Sequence, residues 1–323
     1  MMFRSPAAAL WAVLSIVSFT PLGLAASLQE ITSFGDNPTK TRMFIYVPDK
    51  LATKPAVLVS PHWCHGSAQD VYKGKGWAPK ADKHGFIIIY PDSPNLSDKC
   101  WDVSSNQSLT HFGGGDALGI VSMVNYTLNT YKADPDRVFV TGISSGAMMT
   151  NVLAGSYPDV FAAGSAWAGV PFGCYAGKGF GLWSDSCATG KIIKTGVEWA
   201  RMIWDAYPHY TGYRPKMQIA HGTADNVLFP QNFNETVKQW TTVFGLNSTQ
   251  ANVTVGTPSA IWTRYSYGPK FEAYLAEGVT HDIQVQEDVV MAWFDLACTE
   301  GPCFSRKSGM KWSGRRRHAK ALR

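Results

Sequence analysis

A five-residue segment, Gly142-Ile143-Ser144-Ser145-Gly146, places a reactive side-chain type at the centre of a Gly-x-Ser-x-Gly motif. The motif alone occurs by chance, but here a β-branched, apolar run precedes it and a string of helix formers follows it. Such a strand–turn–helix context is typical of a nucleophile elbow, in which the two glycines let strand and helix approach closely. We therefore predict Ser144 as a nucleophile. The backbone N–H of Ser145 is predicted as one donor of an oxyanion hole.

A serine hydroxyl needs a general base at neutral pH, and the base needs an acid that orients it. After a nucleophile elbow the acid and then the histidine are expected further along the chain. Asp225 and His281 each follow an apolar run of strand length, so both are predicted on loops at the carboxyl ends of strands. Asp282 and His221 are the alternatives, and their positions fit less well. Ser144, Asp225 and His281 are therefore predicted as a catalytic triad.

The second oxyanion donor is expected on the segment Pro61-His62-Trp63-Cys64-His65-Gly66, which follows another apolar run. The backbone N–H of Cys64 is the candidate. His62, Cys64 and His65 could also bind a metal ion. The chain has no second ligand pair at zinc-like spacing, however, so neither a metal nor another cofactor is predicted.

Apolar runs of strand length alternate with helix-like stretches along the chain. The runs are 43–47, 57–60, 86–90, 138–141, 162–168, 217–220 and 271–275. The helix-like stretches are 116–131, 146–155, 196–206, 231–244 and 284–296. This alternation predicts an α/β fold with a mostly parallel sheet and helices on both faces. Such sheets bind ligands beyond the carboxyl ends of their strands, where the serine motif is predicted to lie.

The two ends of the chain differ from its body. Residues 1–26 contain an early Arg, an apolar run and a small-residue cleavage site, which together predict a secretory signal peptide. Residues 304–323 contain eight Lys or Arg and no acidic residue, which predicts a basic, disordered tail. An arm that binds acidic polysaccharide is the alternative for this tail. Residues 27–303 show no repeat or linker and are predicted as one domain.

Other features of the chain agree with export. The net charge of +5 comes from the tail, because the remaining 21 basic residues are fewer than the 24 acidic residues. An exported protein of this kind is not expected to bind nucleic acid, and no later apolar run has the roughly 18 residues of a membrane span. Six cysteines form an even set suited to an oxidising compartment. Six Asn-x-Ser/Thr sequons predict surface glycosylation at Asn95, Asn106, Asn125, Asn234, Asn247 and Asn252.

Six short segments form a specific combination: 62–64 (HWC), 100–105 (CWDVSS), 113–116 (GGGD), 142–149 (GISSGAMM), 169–171 (GVP) and 221–225 (HGTAD). Together they resemble carbohydrate esterase family 1, and most closely its secreted fungal acetylxylan and feruloyl esterases. The resemblance spans roughly residues 28–296. It implies an α/β-hydrolase fold and supports the predicted triad. His65 departs from the family pattern, because many relatives carry Thr there.

The resemblance also implies a Cys64–Cys100 disulfide beside the site. For the other four cysteines, proximity in sequence favours the pairs Cys174–Cys187 and Cys298–Cys303. Cys298, Cys303 and the basic tail have no counterpart in the family's core pattern.

We predict a secreted, monomeric serine esterase that deacetylates plant cell-wall xylan without a cofactor. Trp63, His65, Trp101 and Trp167 are the candidate substrate-binding residues, because each follows a predicted strand on the catalytic side. Bulky residues beside the oxyanion segment favour a small acetyl group over a feruloyl group. Feruloyl esterase and polyhydroxyalkanoate depolymerase are the alternative enzymes, and a carbohydrate-binding protein with a decayed site is the non-enzymatic alternative.

Overall fold

The computed structural model describes residues 26–74, 76–177, 179 and 181–308. The predicted signal peptide, except for its last residue, lies outside this part of the chain. Residues 309–323 of the predicted tail lie outside it as well. The fold therefore tests neither the signal peptide nor this part of the tail.

Within the described residues, ten strands form one sheet. They are β1 (Gln29–Ile31), β2 (Arg42–Tyr46), β3 (Val57–Val59), β4 (Ile87–Asp92), β5 (Val138–Ile143), β6 (Ala163–Trp167), β7 (Lys216–Gly222), β8 (Asn252–Val255), β9 (Trp262–Gly268) and β10 (Phe271–Ala276). Their order across the sheet is β1-β2-β4-β3-β5-β6-β7-β10-β9-β8. The six central strands, from β4 to β10, run parallel, and the outer strands are antiparallel to their neighbours.

Helices cover both faces of this sheet. In the described part of the chain they are α1 (Ala68–Gly74), α2 (Trp77–His84), α3 (Asn106–Leu109), α4 (Gly115–Tyr131), α5 (Ser145–Ser156), α6 (Asp185–Ala188), α7 (Gly196–Ala206), α8 (Gln231–Val243) and α9 (Glu287–Phe294). One face packs against α1, α2 and α9, and the other packs against α4, α5, α7 and α8. None of the described helices combines the length and apolar character needed to cross a bilayer.

The strand sequences explain why both faces are covered. In β3, Val57 and Val59 belong to one apolar core while Leu58, which points to the opposite face, belongs to the other. The run Ile87-Ile88-Ile89 in β4 divides in the same way. Strands that are apolar at every position need a core on each side, because successive side chains alternate between faces. The predicted fold class, a mostly parallel sheet with helices on both faces, is thus confirmed.

The antiparallel strands β8 and β9 were not predicted from the sequence. All four residues of β8 are exposed, and most residues of β9 are only partly buried. These strands lie at one edge of the sheet, where little apolar surface is covered. Their sequences therefore lack the apolar runs that mark the central strands.

The first residues of the predicted tail pack on the domain, so the prediction of disorder from residue 304 is wrong there. The ring of Phe304 stacks on Phe139 with centroids 6.2 Å apart. Arg306 and Lys307 form ion pairs with Asp136 at 3.3 and 2.5 Å. One aromatic residue followed by two cations is too short a pattern to predict that this segment packs on the domain. The structure nevertheless places residues 304–307 against it.

The cysteines are joined in the pairs expected from the sequence. The disulfides are Cys64–Cys100, Cys174–Cys187 and Cys298–Cys303. The first connects the loop after β3 to the loop after β4, so it lies at the carboxyl edge of the parallel strands.

Five of the six predicted glycosylation sites have exposed asparagines: Asn106, Asn125, Asn234, Asn247 and Asn252. Asn95 differs, because it is only partly exposed and its Nδ2 donates a hydrogen bond to Asp98 Oδ1 at 2.6 Å. A glycan on Asn95 would have to displace this contact. The exposed positions of the other five asparagines are compatible with glycosylation.

The two glycines of the serine motif lie so close to neighbouring backbone atoms that a side chain at either position should destabilise the fold. A Cβ on Gly146 would overlap the carbonyl oxygen of Pro61, and a Cβ on Gly142 would lie 2.5 Å from the carbonyl of Gly146. Because backbone atoms cannot rotate aside, Gly146→Ala should lower the free energy of unfolding by about 2 kcal/mol or more. Chemical denaturation with the disulfides intact measures this change.

Gly74→Ala is the matched control, because a Cβ at Gly74 meets no atom within 4 Å. It should leave the free energy of unfolding nearly unchanged. Equal stability of the two variants would contradict the close packing of α5 on the loop after β3.

Candidate active site

Ser144 lies on a strained turn between the end of β5 and the start of α5. Its backbone angles are φ 55° and ψ −122°, a conformation that costs a non-glycine residue about 1–3 kcal/mol. Two backbone hydrogen bonds hold the turn: Ser144 N donates to Trp167 O at 2.9 Å, and Met148 N donates to Ser144 O at 3.0 Å. The turn places Ser144 at the carboxyl edge of the sheet, where it lines a cleft.

A chain of two hydrogen bonds connects Ser144, His281 and Asp225. Ser144 Oγ lies 2.8 Å from His281 Nε2, and His281 Nδ1 lies 2.8 Å from Asp225 Oδ2. Because the ionised carboxylate only accepts, Nδ1 carries the ring proton, and Nε2 accepts from the serine hydroxyl. The structure thus brings together the three residues that the sequence predicted from their separate loops.

The loops of Asp225 and His281 are also connected through their backbones. Ala224 N donates to Val279 O at 2.9 Å, and Gly278 N donates to the side-chain oxygen of Thr223 at 2.8 Å. These bonds link the loop after β7 to the loop after β10, which are neighbouring parallel strands. The spacing between acid and base is therefore set by backbone contacts as well as by their own hydrogen bond.

The carboxylate of Asp225 is enclosed and fully hydrogen-bonded. Its Oδ1 accepts the N–H groups of Val227 and Leu228, both at 2.9 Å. Its Oδ2 faces His281 and also lies 3.2 Å from His221 Nε2. Burial alone would raise the pKa of Asp225, but hydrogen bonds and charges from His221 and His281 outweigh burial and hold this pKa well below its usual range. Asp225 is therefore ionised at neutral pH.

The two alternatives from the sequence take other positions. Asp282 is exposed and lines the cleft without bonding to the ring of His281. His221 is buried, and it contacts Asp225 rather than Ser144. Neither residue replaces a member of the hydrogen-bonded chain.

The two predicted oxyanion donors lie on segments that meet at the cleft of Ser144. Cys64 lines the same cleft, and Ser145 is the first residue of α5. The first N–H groups of a helix have no acceptor within the helix, which leaves the N–H of Ser145 available. The side chain of Ser145 has a separate contact, because its Oγ accepts the N–H of Trp101 at 2.8 Å. This contact and the Cys64–Cys100 disulfide connect the helix start to the loop that carries Cys64.

The alternative metal site at His62, Cys64 and His65 is not assembled. Cys64 is in a disulfide. The buried ring of His62 is hydrogen-bonded to Trp63 O at 2.6 Å and to Ser93 N at 3.0 Å. Among the described residues, one cluster does have metal-like spacing, Asp295 with Cys298 and Cys303, but those two cysteines are joined in a disulfide.

Two of the predicted substrate-binding residues lie in the cleft, whose volume is about 640 Å³. Trp63 and His65 line it beside Cys64. His65 is exposed and has a positive φ of 62°, and its N–H donates to Asp98 O at 2.6 Å. The loop after β3 thus presents its two large side chains at the entrance to Ser144.

The other two predictions, Trp101 and Trp167, are wrong. Trp101 is 1% exposed, its Nε1 donates to His62 O at 2.8 Å, and its ring packs on the His62 ring. Trp167 is fully buried, and its Nε1 donates to Ser165 Oγ at 2.8 Å. Both indoles face inward from the carboxyl edge and support the loops from beneath, so neither can stack on a sugar.

Sequence reasoning missed Trp183, which lines the cleft with half of its side chain exposed. Its Nε1 donates to Asp185 Oδ1 at 2.9 Å, and its ring meets the edge of Tyr175. The only signal in the sequence is that Trp183 lies between Cys174 and Cys187, whose disulfide closes this loop. A glycine-rich loop without periodicity does not reveal which way it folds.

The segments CWDVSS and GGGD each contribute one buried carboxylate, Asp102 and Asp116, that is hydrogen-bonded to the surrounding loops. Asp102 accepts hydrogen bonds from Ser105 Oγ and from Ser108 Oγ, the latter at 2.9 Å, and its Oδ1 accepts Gly181 N at 3.3 Å. The N–H of Asp102 donates to Asp116 Oδ2 at 2.9 Å. Burial raises the pKa of Asp116 to about 6. Both acids hold loops behind the cleft and lie outside its lining.

The chain is similar to known esterases over most of its length. The family model described as esterase PHB depolymerase matches residues 42–256. Acetylxylan esterase A of Aspergillus oryzae is 50% identical over 277 residues, which cover 84% of this chain and 89% of that protein. Feruloyl esterase B of Thermothelomyces thermophilus is 49% identical, with 84% of this chain and 94% of that protein covered.

A solved structure, the acetyl xylan esterase from Aspergillus awamori, superposes with a TM-score of 0.82 at 43% identity. The match covers 84% of this chain and all of that one. The resemblance inferred from the six short segments is thus confirmed, and so is the α/β-hydrolase fold that it implied. This chain belongs to the esterase PHB depolymerase family and is a carboxylic ester hydrolase.

Proposed function

We propose that this protein is a secreted serine esterase that removes acetyl groups from acetylated xylan through an acyl-enzyme intermediate. The observation that carries the proposal is the unbroken hydrogen-bonded chain from Ser144 through His281 to Asp225 at an open cleft. Relatives with about half of their residues identical include an acetylxylan esterase, which supports the substrate. The superposed acetyl xylan esterase supports it further.

The geometry supports a two-step reaction. Ser144 Oγ attacks the carbonyl carbon of the acetyl ester while its proton moves to His281 Nε2, and Asp225 stabilises the imidazolium that forms. The sugar hydroxyl leaves with that proton, and Ser144 remains acetylated. Water then attacks the acetyl-serine while His281 accepts its proton, which releases acetate and restores the serine.

The negative oxygen of each tetrahedral intermediate needs donors that are already in place. We assign this role to the backbone N–H groups of Ser145 and Cys64. The Cys64–Cys100 disulfide holds the loop that carries the Cys64 donor before substrate binds. Removing one such donor typically costs about 10²–10³ in rate.

We further propose that the polysaccharide is recognised from the rim of the cleft. Trp63, His65 and the exposed ring of Trp183 provide faces on which sugar rings can stack. An acetyl group offers a single methyl for recognition, and a methylene is worth only about 1–3 kcal/mol. Selectivity of a deacetylase must therefore come mainly from the sugar.

Secretion and a monomeric state complete the proposal. The predicted signal peptide, the three disulfides and the exposed sequons all fit an exported glycoprotein. Feruloyl esterase is the second candidate, because one relative of similar identity bears that name. The family description likewise makes an aliphatic polyester a third substrate to test.

The triad assignment predicts that Ser144→Ala lowers kcat for 4-nitrophenyl acetate to below about one hundredth of the wild-type value. The double variant Ser144→Ala with His281→Ala should lose little more, because the two groups act as a unit. Steady-state kinetics with circular dichroism of each variant provides the measurement.

Ser145→Ala is the matched control at the neighbouring position. It keeps the backbone N–H but leaves the buried Trp101 N–H without its acceptor, so stability should fall by about 1–3 kcal/mol while most activity remains. A larger loss of kcat in Ser145→Ala than in Ser144→Ala would refute the assignment.

The disulfide beside the cleft predicts a coupled loss of stability and activity. Replacing Cys64 and Cys100 by serine opens a link across 36 residues, worth about 4 kcal/mol, and should lower kcat because the loop of Cys64 is released. Replacing Cys298 and Cys303, which are 5 residues apart and outside the cleft lining, should leave kcat unchanged. Unchanged kcat in both double variants would show that the first bridge does not position a catalytic group.

The substrate assignment predicts a higher kcat/KM for acetylated xylo-oligosaccharide than for methyl ferulate. The bulky side chains of Trp63 and His65 beside Cys64 favour a small acyl group. Acetate and ferulate release, measured with the same enzyme preparation, provide the comparison, and polyhydroxybutyrate serves as a third substrate. A preference for methyl ferulate would overturn the acetyl assignment while leaving the triad intact.

A further inference from the structure

His221 contacts the same carboxylate oxygen as the histidine of the triad. His221 Nε2 lies 3.2 Å from Asp225 Oδ2 and 2.7 Å from Leu228 O. The side chain of His221 is 2% exposed, and that of Asp225 is fully enclosed. Solvent therefore does not screen the interaction appreciably, and a hydrogen bond formed here carries more energy than one at the surface.

Its two neighbours fix the tautomer of His221. The carbonyl oxygen of Leu228 can only accept a hydrogen bond, and so can the ionised carboxylate of Asp225. Nε2 must therefore carry a hydrogen, which is bonded to Leu228 O and also lies close to Asp225 Oδ2. Asp225 Oδ2 thus accepts a hydrogen bond from His281 and has Nε2 of His221 3.2 Å away, while two backbone N–H groups donate to Oδ1.

The surroundings of His221 leave few other charges to consider. On one side it lines a small cavity whose other lining residues are uncharged: Asn151, Ala166, Gly169, Ile219, Ala220, Phe233 and Thr236. Towards the cleft, the titratable groups are those of Asp225 and His281 and, along the cleft lining, His65, Asp98 and Asp282.

We propose that His221 is a positioning residue of the esterase reaction, which orients the Asp225 carboxylate and moderates its negative charge. The inference rests on the proposed triad. With Oδ1 fixed by the backbone and Oδ2 fixed by His221, the carboxylate cannot rotate away from His281. The donor also draws negative charge from Oδ2, the oxygen that faces His281 Nδ1.

The test compares His221→Leu, which removes the donor, with His221→Gln, which returns an N–H near the position of Nε2. With 4-nitrophenyl acetate, His221→Leu should lower kcat about 10- to 100-fold with little change in KM. The acidic limb of its kcat/KM profile should move to higher pH, because the unmoderated carboxylate stabilises protonated His281 more strongly. His221→Gln should restore both quantities toward the wild-type values.

His111→Leu is the matched control. His111 Nδ1 is bonded to Ser156 O at 2.7 Å and its Nε2 lies 3.6 Å from Asp159 Oδ2, so it also lies between a carbonyl and a carboxylate. It lies outside the cleft lining, and its variant should lose stability without a change in kcat or in the acidic limb. The inference would be overturned if folded His221→Leu lost stability without a change in kcat or in the acidic limb. It would also be overturned if His221→Leu lowered kcat without moving the acidic limb and His221→Gln did not restore kcat. An inactive wild-type enzyme would instead refute the proposed function.

Discussion

The close approach of β5 and α5 at Ser144 is the constraint on which the rest of the site depends. Neither Gly142 nor Gly146 has room for a Cβ, and the atoms that fill the space at Gly146 are carbonyl oxygens of the loop after β3. That loop carries Cys64. Two neighbouring packing contacts, of α5 on β5 and of α5 on this loop, therefore fix both the strained backbone of Ser144 and the position of the loop that carries a proposed oxyanion donor.

The sheet, one disulfide and several buried carboxylates restrain the loops that carry the catalytic residues. Each group of the triad follows a buried parallel strand, β5, β7 or β10, so a rigid sheet determines the spacing of their backbones. The disulfide at Cys64 and the buried carboxylates of Asp102 and Asp116 hold the loops at the serine end. At the acid end, the four hydrogen-bond donors around Asp225 keep the carboxylate ionised in an enclosed site. Such preorganisation means that the donors need not rearrange when charge develops on the substrate.

The sequence predicted those parts of the site that depend on the central strands. Ser144, Asp225 and His281 each follow an apolar run, and parallel strands place their carboxyl ends at one edge. The sequence did not predict which side chains at that edge point into the cleft. Trp101 follows β4 and Trp167 is the last residue of β6, yet both side chains turn inward to cap the core. No sequence pattern distinguishes the inward from the outward orientation.

Other features were invisible because they depend on long-range contacts of irregular segments. Trp183 reaches the cleft on a loop without periodicity, closed by the Cys174–Cys187 disulfide. Phe304 docks on Phe139 from a stretch that reads as a basic tail. The edge strands β8 and β9 cover little apolar surface, so their sequences carry no strong strand signal.

The proposed two-step reaction requires that Ser144 becomes acetylated during turnover. Rapid mixing of the enzyme with 4-nitrophenyl acetate, followed by acid quenching and peptide mass spectrometry, tests it most directly. We expect an acetyl group at Ser144, on the peptide that contains residues 142–146, and its loss on further incubation. Acetylation at Ser145 instead, or turnover with no acetylated peptide under conditions in which deacylation is slowed, would contradict it.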